Sequence, residues 1–276
     1  MHLSSPKPLA LLLLGLCLSN TLQAAPSAEP WAFWEPRGEV ASVSVDHSLW
    51  QAILSAVVVS QADGSTAVRY TAFDATRTEQ LQKYVAQLTA LDPRTLSRAE
   101  QMAYWINLYN ALTVQVVLDH PAKNSILRMG GGWLPRGPWD NPVASIAGQS
   151  LTLNDIEHRI LRPFWQDHRI HFAVNCASVG CPNLATMAYT SDNLDTLLSS
   201  AESSFLKHPR AVQFVGQRLV LSSIFDWYMT DFASDRESLL AYLASIRTDL
   251  APRLRGYDGN LKFQYDWALN GATTPD

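Results

Sequence analysis

The sequence predicts one α+β domain: a central hydrophobic helix packed on a small, mostly antiparallel sheet. Three observations predict it. The stretch from Arg98 to about Leu118 is apolar on nearly every side; helix-period and strand-period segments alternate along the chain; and no repeat, low-complexity block or linker divides them. The 276 residues are 47% hydrophobic and 17% charged, which excludes a disordered chain. Three cysteines are too few for a disulfide-dense scaffold. A net charge of −4 with scattered basic residues excludes the footprint of a nucleic-acid binder.

The first 24 residues read as a signal peptide. Leu9 to Leu18 is an apolar run too short to span a bilayer, and Leu22-Gln23-Ala24-Ala25 offers a small-residue cleavage site. No second run of that kind follows, so no membrane span is expected, and the cleaved protein is expected in the periplasm or secreted. Residues 25–45 read as an irregular, Pro- and Ala-rich arm, and 46–276 as the domain. Leu49, Trp50, Ile53, Leu54 and Val57 follow helical spacing; Ala67 to Phe73 alternates like a strand; Asp74 caps a helix carrying Leu81, Tyr84, Val85 and Leu88.

Ser97 and Glu100 have the form of a capping box at the start of the central helix. Asn107 and Asn110 share one stripe of that helix, where buried amides need partners. Residues 121–142 read as loop, with Gly130-Gly131-Gly132 beside Trp133 and Trp139 but without the Lys-Ser/Thr of a phosphate loop. Val143 to Leu153 reads as a hairpin turning at Gly148-Gln149, followed by a helix capped by Asn154 and stopped before Pro163. Ile170 to Asn175 reads as a strand. Beyond it come a helix over 192–207, a hairpin of 211–215 with 218–222, helices over 224–232 and 236–248, and a last strand over 261–267.

The chemistry concentrates in His171-Phe-Ala-Val-Asn175-Cys176-Ala-Ser-Val-Gly-Cys181-Pro182. A thiol in a tight turn directly after a buried strand is rigidly held yet reachable. It becomes a nucleophile when a neighbour lowers its pKa and amides receive the developing oxyanion; the turn Ala177 to Gly180 could supply those amides. His158 and His171 are the candidate bases. On an extended strand His171 would lie about 17 Å from Cys176 and on the opposite face, which favours His158. Glu157 either joins the site or completes a helix cap. Cys176 and Cys181 are either free thiols or a small-loop disulfide, and with His171 and His158 or His168 their spacing also permits a metal site.

Three blocks, Ala103-Tyr-Trp-Ile-Asn-Leu-Tyr-Asn110, Leu151-Thr-Leu-Asn-Asp-Ile-Glu157-His158, and His171-Phe-Ala-Val-Asn-Cys176 to Cys181-Pro182, resemble the domain-of-unknown-function family 547. Ser223 to Phe232 and Tyr265 to Asn270 fit it as well, and the resemblance covers about residues 90–235. It implies a papain-like thiol-enzyme fold with permuted element order, with Cys176 as nucleophile, His158 as base and Glu157 as third member. The expected function is an exported cysteine-dependent hydrolase or acyltransferase acting on an amide of a small peptide-like substrate. His171, Asn175, Asn107 and Trp105 would contact that substrate, and neither cofactor nor metal is required. The alternative is a non-catalytic module that binds a peptide or thiol-containing ligand in a cleft lined by Trp105, Trp133 or Trp139, with Cys176 and Cys181 joined in a disulfide.

Overall fold

A 21-residue helix without a polar face can persist only when surrounded, and the fold surrounds it. The computed structural model describes residues 26–35, 44–132 and 134–272; the signal-peptide stretch and Trp133 lie outside them. Ser48–Val57 forms α1, Val58–Ser60 and Thr66–Val68 pair antiparallel as β1 and β2, and Ala75–Thr89 forms α2. Asp74 caps α2, accepting the Arg77 N–H at 2.8 Å. The central helix α3 spans Arg98–Leu118 and is buried on nearly every side through Val114.

Only half of the expected capping box forms at its start. Ser97 accepts the Glu100 N–H at 3.2 Å, but the Glu100 carboxylate turns inward to the N–H groups of Val45 (2.6 Å) and Ser191 (3.4 Å). A buried carboxylate is worth more to distant orphan amides than to a helix end already held by a hydroxyl.

The α+β class holds, with small separate sheets. Ala144–Ile146 (β3) and Gln149–Leu151 (β4) form a hairpin whose two-residue turn is Ala147-Gly148, both at positive φ (48° and 77°), one residue earlier than the sequence suggests. Val212–Val215 (β5) and Arg218–Ser222 (β6) pair antiparallel, and Lys262–Gln264 (β7) joins β6 in parallel. The main packing partners of α3 are helices rather than a sheet. Among the described residues no helix is long and apolar enough to cross a membrane.

Helix α4 departs most from expectation. It opens as a π-helix over Asp155–Leu161 and continues as α-helix over Arg162–Trp165, running through Pro163 instead of stopping before it. Thr152, not Asn154, caps it: the Thr152 hydroxyl accepts the Asp155 N–H (3.0 Å) while Asp155 accepts the Thr152 N–H (2.9 Å). Arg162 N–H bonds to Glu157 O, and Pro163 has no N–H for the carbonyls of His158 or Arg159. Those two carbonyls are taken by the amides of Glu29 (3.2 Å) and Trp31 (2.9 Å), which ties the arm to the helix. Trp34 then buries its ring edge-to-face against Trp105, centroids 5.1 Å apart.

The expected strand at 170–175 is a helical turn, α5 (Ile170–Ala173), followed by extended Val174. Beyond it lie α6 (Leu194–Lys207), α7 (Ile224–Trp227) and α8 (Met229–Phe232), then α9 (Arg236–Ile246) and α10 (Ala251–Arg255). Two main apolar clusters result: one wraps α3, and the other joins Phe172 to α6, β5, β6 and α9. The stretch 157–181 contributes to both, Ile160, Leu161, Ile170, Ala173 and Val174 to the first and Phe172 to the second.

Candidate active site

The residues that hold Cys176 come from three distant stretches. Asn110 on α3 reaches the end of α5, donating to Ala173 O (3.0 Å) and accepting the Asn175 N–H (2.8 Å). Asn175, in turn, accepts the Ala177 N–H (2.9 Å), donates to Pro182 O (2.7 Å), and accepts from Asn270, whose own Oδ1 takes the Tyr70 hydroxyl. This chain of buried amides fixes both ends of the cysteine turn. Ala177 is held at φ +59°, a left-handed conformation rare outside glycine, directly after the thiol.

The turn also pairs with the C-terminal segment. Val179 N–H bonds to Ala268 O and Gly180 N–H to Asp266 O, both at 2.8 Å, while Asn270 N–H returns to Ala177 O at 3.1 Å. A Cβ on Gly180 would lie 2.8 Å from Asp266 N and 3.0 Å from the Tyr265 ring, so glycine is what lets that segment close over the thiol. The consequence corrects an expectation. The amides of Ala177, Val179 and Gly180 are committed within the protein, so three of the four turn amides are closed to an oxyanion.

Cys176 is partly exposed, and Cys181 is buried; both are free thiols. Cys176 Sγ lies 3.2 Å from Ser178 Oγ and 3.1 Å from the Tyr265 hydroxyl, and its own N–H donates to Cys181 Sγ at 2.9 Å. Hydrogen bonding from the Cys181 thiol, with help from Ser178 and Tyr265, lowers the Cys176 pKa against the opposing effect of burial. Burial drives Cys181 and Tyr265 the other way, so both keep their protons.

Cys176 opens on a cavity of about 570 Å³ that is also lined by Glu157, His158 and His171. The fold therefore brings together the three residues proposed for catalysis, and the helical turn of α5 adds the histidine that an extended strand would have turned away. Among the described residues no imidazole is hydrogen-bonded to the sulfur. His158 Nδ1 accepts from Arg162 Nη1 at 3.0 Å, because a guanidinium can only donate. The neutral ring consequently carries its proton on Nε2. Burial, reinforced by Arg162 and His171, lowers its pKa from 6.5 to about 4. His158 is thus a neutral N–H donor at this cavity rather than a base poised for the thiol.

His171 is enclosed by carboxylates, with Nε2 at 2.6 Å from Asp231 and Nδ1 at 3.6 Å from Glu157. It stacks on Tyr228 with centroids 4.2 Å apart. Arg162 grips Asp231 through two bonds of 2.6 and 3.0 Å and donates to Pro26 O at 2.8 Å. Burial raises the pKa of Glu157, but His158, His171 and Arg162 outweigh it and bring it down to about 2. Asp231 is held low as well: burial again opposes the shift, and its bonds to His171 and Arg162 carry it. Glu157 accordingly belongs to this charge cluster and not to a helix cap.

Three expected contact residues stand elsewhere. Trp105 is wholly buried against Trp34 and Tyr104. Asn107 clamps the backbone of Tyr189 through both its amide atoms (2.7 and 3.0 Å). Asn175 sits behind the turn as a strut. None of the three lines the cavity, because each amide or indole is consumed by packing in the core. His168 faces Glu202 at 2.7 Å, away from the thiols, and among the described residues no three His, Cys, Asp or Glu side chains gather as metal ligands.

The groups that sequence reasoning did not assign are Arg162, Ser178, Tyr228, Asp231 and Tyr265. Signals for them existed: Arg162 follows His158 by one helical turn, and the other four lie inside or beside blocks that carry the family resemblance. Residues 93–206 match the model of a family described as "Protein of unknown function, DUF547". No curated protein and no solved structure matches the chain. The matched stretch contains Cys176, His158, Glu157 and His171, while Tyr228, Asp231 and Tyr265 lie beyond it. Over residues 93–206, less than half of its length, the chain is similar to that family of unknown function.

Proposed function

We propose that the cavity is the active site of an exported cysteine-dependent hydrolase or acyltransferase acting on an amide of a small peptide-like substrate. The observation that carries this reading is Cys176 itself: a partly exposed thiol with lowered pKa, held by two hydroxyls at 3.1–3.2 Å on the wall of a substrate-sized cavity. The Cys176 thiolate attacks the amide carbonyl carbon, and the charge that develops on oxygen is received by the Nε2–H of His158 in the same cavity. The C–N bond breaks as the amine leaves with a proton relayed from water by the Tyr265–Ser178 hydroxyl pair. Water or an acceptor amine then attacks the thioester and releases the sulfur. The order of His158 before Cys176 matches a permuted papain-like arrangement, and the apolar run of Leu9 to Leu18 supports export.

The test is trapping. Incubation with an activated thioester or ester of an N-acyl amino acid should leave one acyl group on the Cys176 peptide by mass spectrometry, and Cys176→Ala should abolish it. Absence of the adduct, with alkylation of Cys176 no faster than that of free cysteine, overturns the proposal. The contact of Cys176 N–H with Cys181 Sγ favours one second reading, a thiol- or peptide-binding module that works as the Cys176–Cys181 disulfide. A two-hydrogen mass increase of the native protein on reduction would support it.

A further inference from the structure

One wall of the cavity is aromatic, and it is continuous. Trp227 stacks on Trp267 with centroids 5.5 Å apart and planes 28° from parallel. Tyr265 meets both, at 4.8 Å from Trp227 and 4.5 Å from Trp267, and Trp139 closes the far side at 5.7 Å from Trp267. All four rings are half-buried and line the cavity, and the Tyr265 hydroxyl ends on the Cys176 sulfur. The shelf therefore runs directly to the reactive atom. Gly180 keeps it there, because any side chain at that position would push on the Tyr265 ring.

A half-buried aromatic wall can select a cation, an aliphatic group or a flat ring. A cation would want an uncompensated carboxylate nearby. Asp231 is held by Arg162 and His171, Glu157 faces His171, and the rim residues Arg136 and Asp140 are opposite in sign. With both carboxylates already partnered, the wall has polarisable faces and no free carboxylate to offer a cation. We infer that the site takes substrates whose group beside the attacked carbonyl is a flat aromatic ring, seated against Trp227, Trp267 and Trp139 with the carbonyl carbon reaching Cys176. This rests on the proposed thiol chemistry and names the substrate class for it.

The test compares alkylation of Cys176 by chloroacetamides that differ only in the N-substituent: hydrogen, cyclohexyl, naphthyl and trimethylammonioethyl. Each rate is divided by that of the same reagent with free cysteine. The naphthyl reagent should react at least about tenfold faster on this scale than the unsubstituted and cyclohexyl reagents. That advantage should collapse in Trp267→Ala and survive in Trp267→Phe, which also controls for folding. Equal normalised rates for naphthyl and cyclohexyl, or preference for the trimethylammonio reagent, overturn the aromatic specificity while leaving a reactive Cys176 in place. If no reagent reacts faster than with free cysteine, the thiol reading itself fails.

Discussion

Replacing His158 by glutamine keeps a polar side chain of similar reach but removes an imidazole that the fold holds neutral. In the folded protein its pKa is lowered from 6.5 to about 4, first by burial and then by the Arg162 guanidinium on Nδ1. Between those values an unfolded chain binds a proton that the folded chain refuses, so stability falls as pH falls from about 6.5 to about 4 and is unaffected above. A drop of about 2.5 pH units corresponds to about 3 kcal/mol at 1.36 kcal/mol per unit, most of it lost by pH 4.5. The ring is 3% exposed, so solvent screening takes little from this figure. Urea denaturation at pH 7.5 and pH 4.5 should therefore show a fall in the wild type that exceeds the fall in His158→Gln by roughly 2–3 kcal/mol. Glu157, with its pKa near 2, contributes its own loss mainly below pH 4.5 and largely stays out of the comparison. Nitrogen NMR of the folded protein should find His158 protonated on Nε2 alone at pH 6. Equal pH dependence in both proteins, or a ring that titrates near 6.5 or carries its proton on Nδ1, would refute the donor role and return His158 to the part of general base.

Four further outcomes follow from the same geometry. Asn110→Ala strips partners from Ala173 O and Asn175 N, both buried behind the cysteine turn; at about 1–3 kcal/mol for each stranded group, a loss of at least about 2 kcal/mol is expected by urea denaturation. The pH midpoint for iodoacetamide labelling of Cys176 should lie below the ordinary value of 9.0 and move upward in Tyr265→Phe, which removes one donor to the sulfur; an unchanged midpoint would dismiss that hydroxyl. Cys181, buried and held protonated, should label only after unfolding. Gly180→Ala should destabilise by roughly 1–3 kcal/mol, the usual cost of overpacking, and should slow Cys176 labelling as Tyr265 is displaced; retention of the wild-type rate would show that the segment absorbs the methyl group.

Local signals carried much of the fold. The all-round apolarity of 98–118 marked the central helix, Asp74 marked the start of α2, and Gly216-Gln217 marked the turn between β5 and β6. Cys176 was legible as a thiol in a turn of small residues, and the partnership of Asn110 was legible as a need. Helix α4 was misread at both ends because its cap and its passage through Pro163 depend on Asp155 reciprocating Thr152 and on the arm accepting the freed carbonyls, which no helical periodicity records.

What the sequence by itself determined was the set of reactive side chains and the elements that carry most of them: periodicity, caps and turn residues act over a few positions, and those are readable along a line. Tertiary structure decided what each reactive group does. It curled 170–173 into a helical turn, so His171 joined the cavity. It set Arg162 on His158 and Asp231 on His171, spent the Val179 and Gly180 amides on Ala268 and Asp266, and brought Tyr265 to Cys176 across 89 residues. Protonation states and hydrogen-bond roles depend on which charges and dipoles lie within a few ångströms, and only the folded chain specifies that proximity.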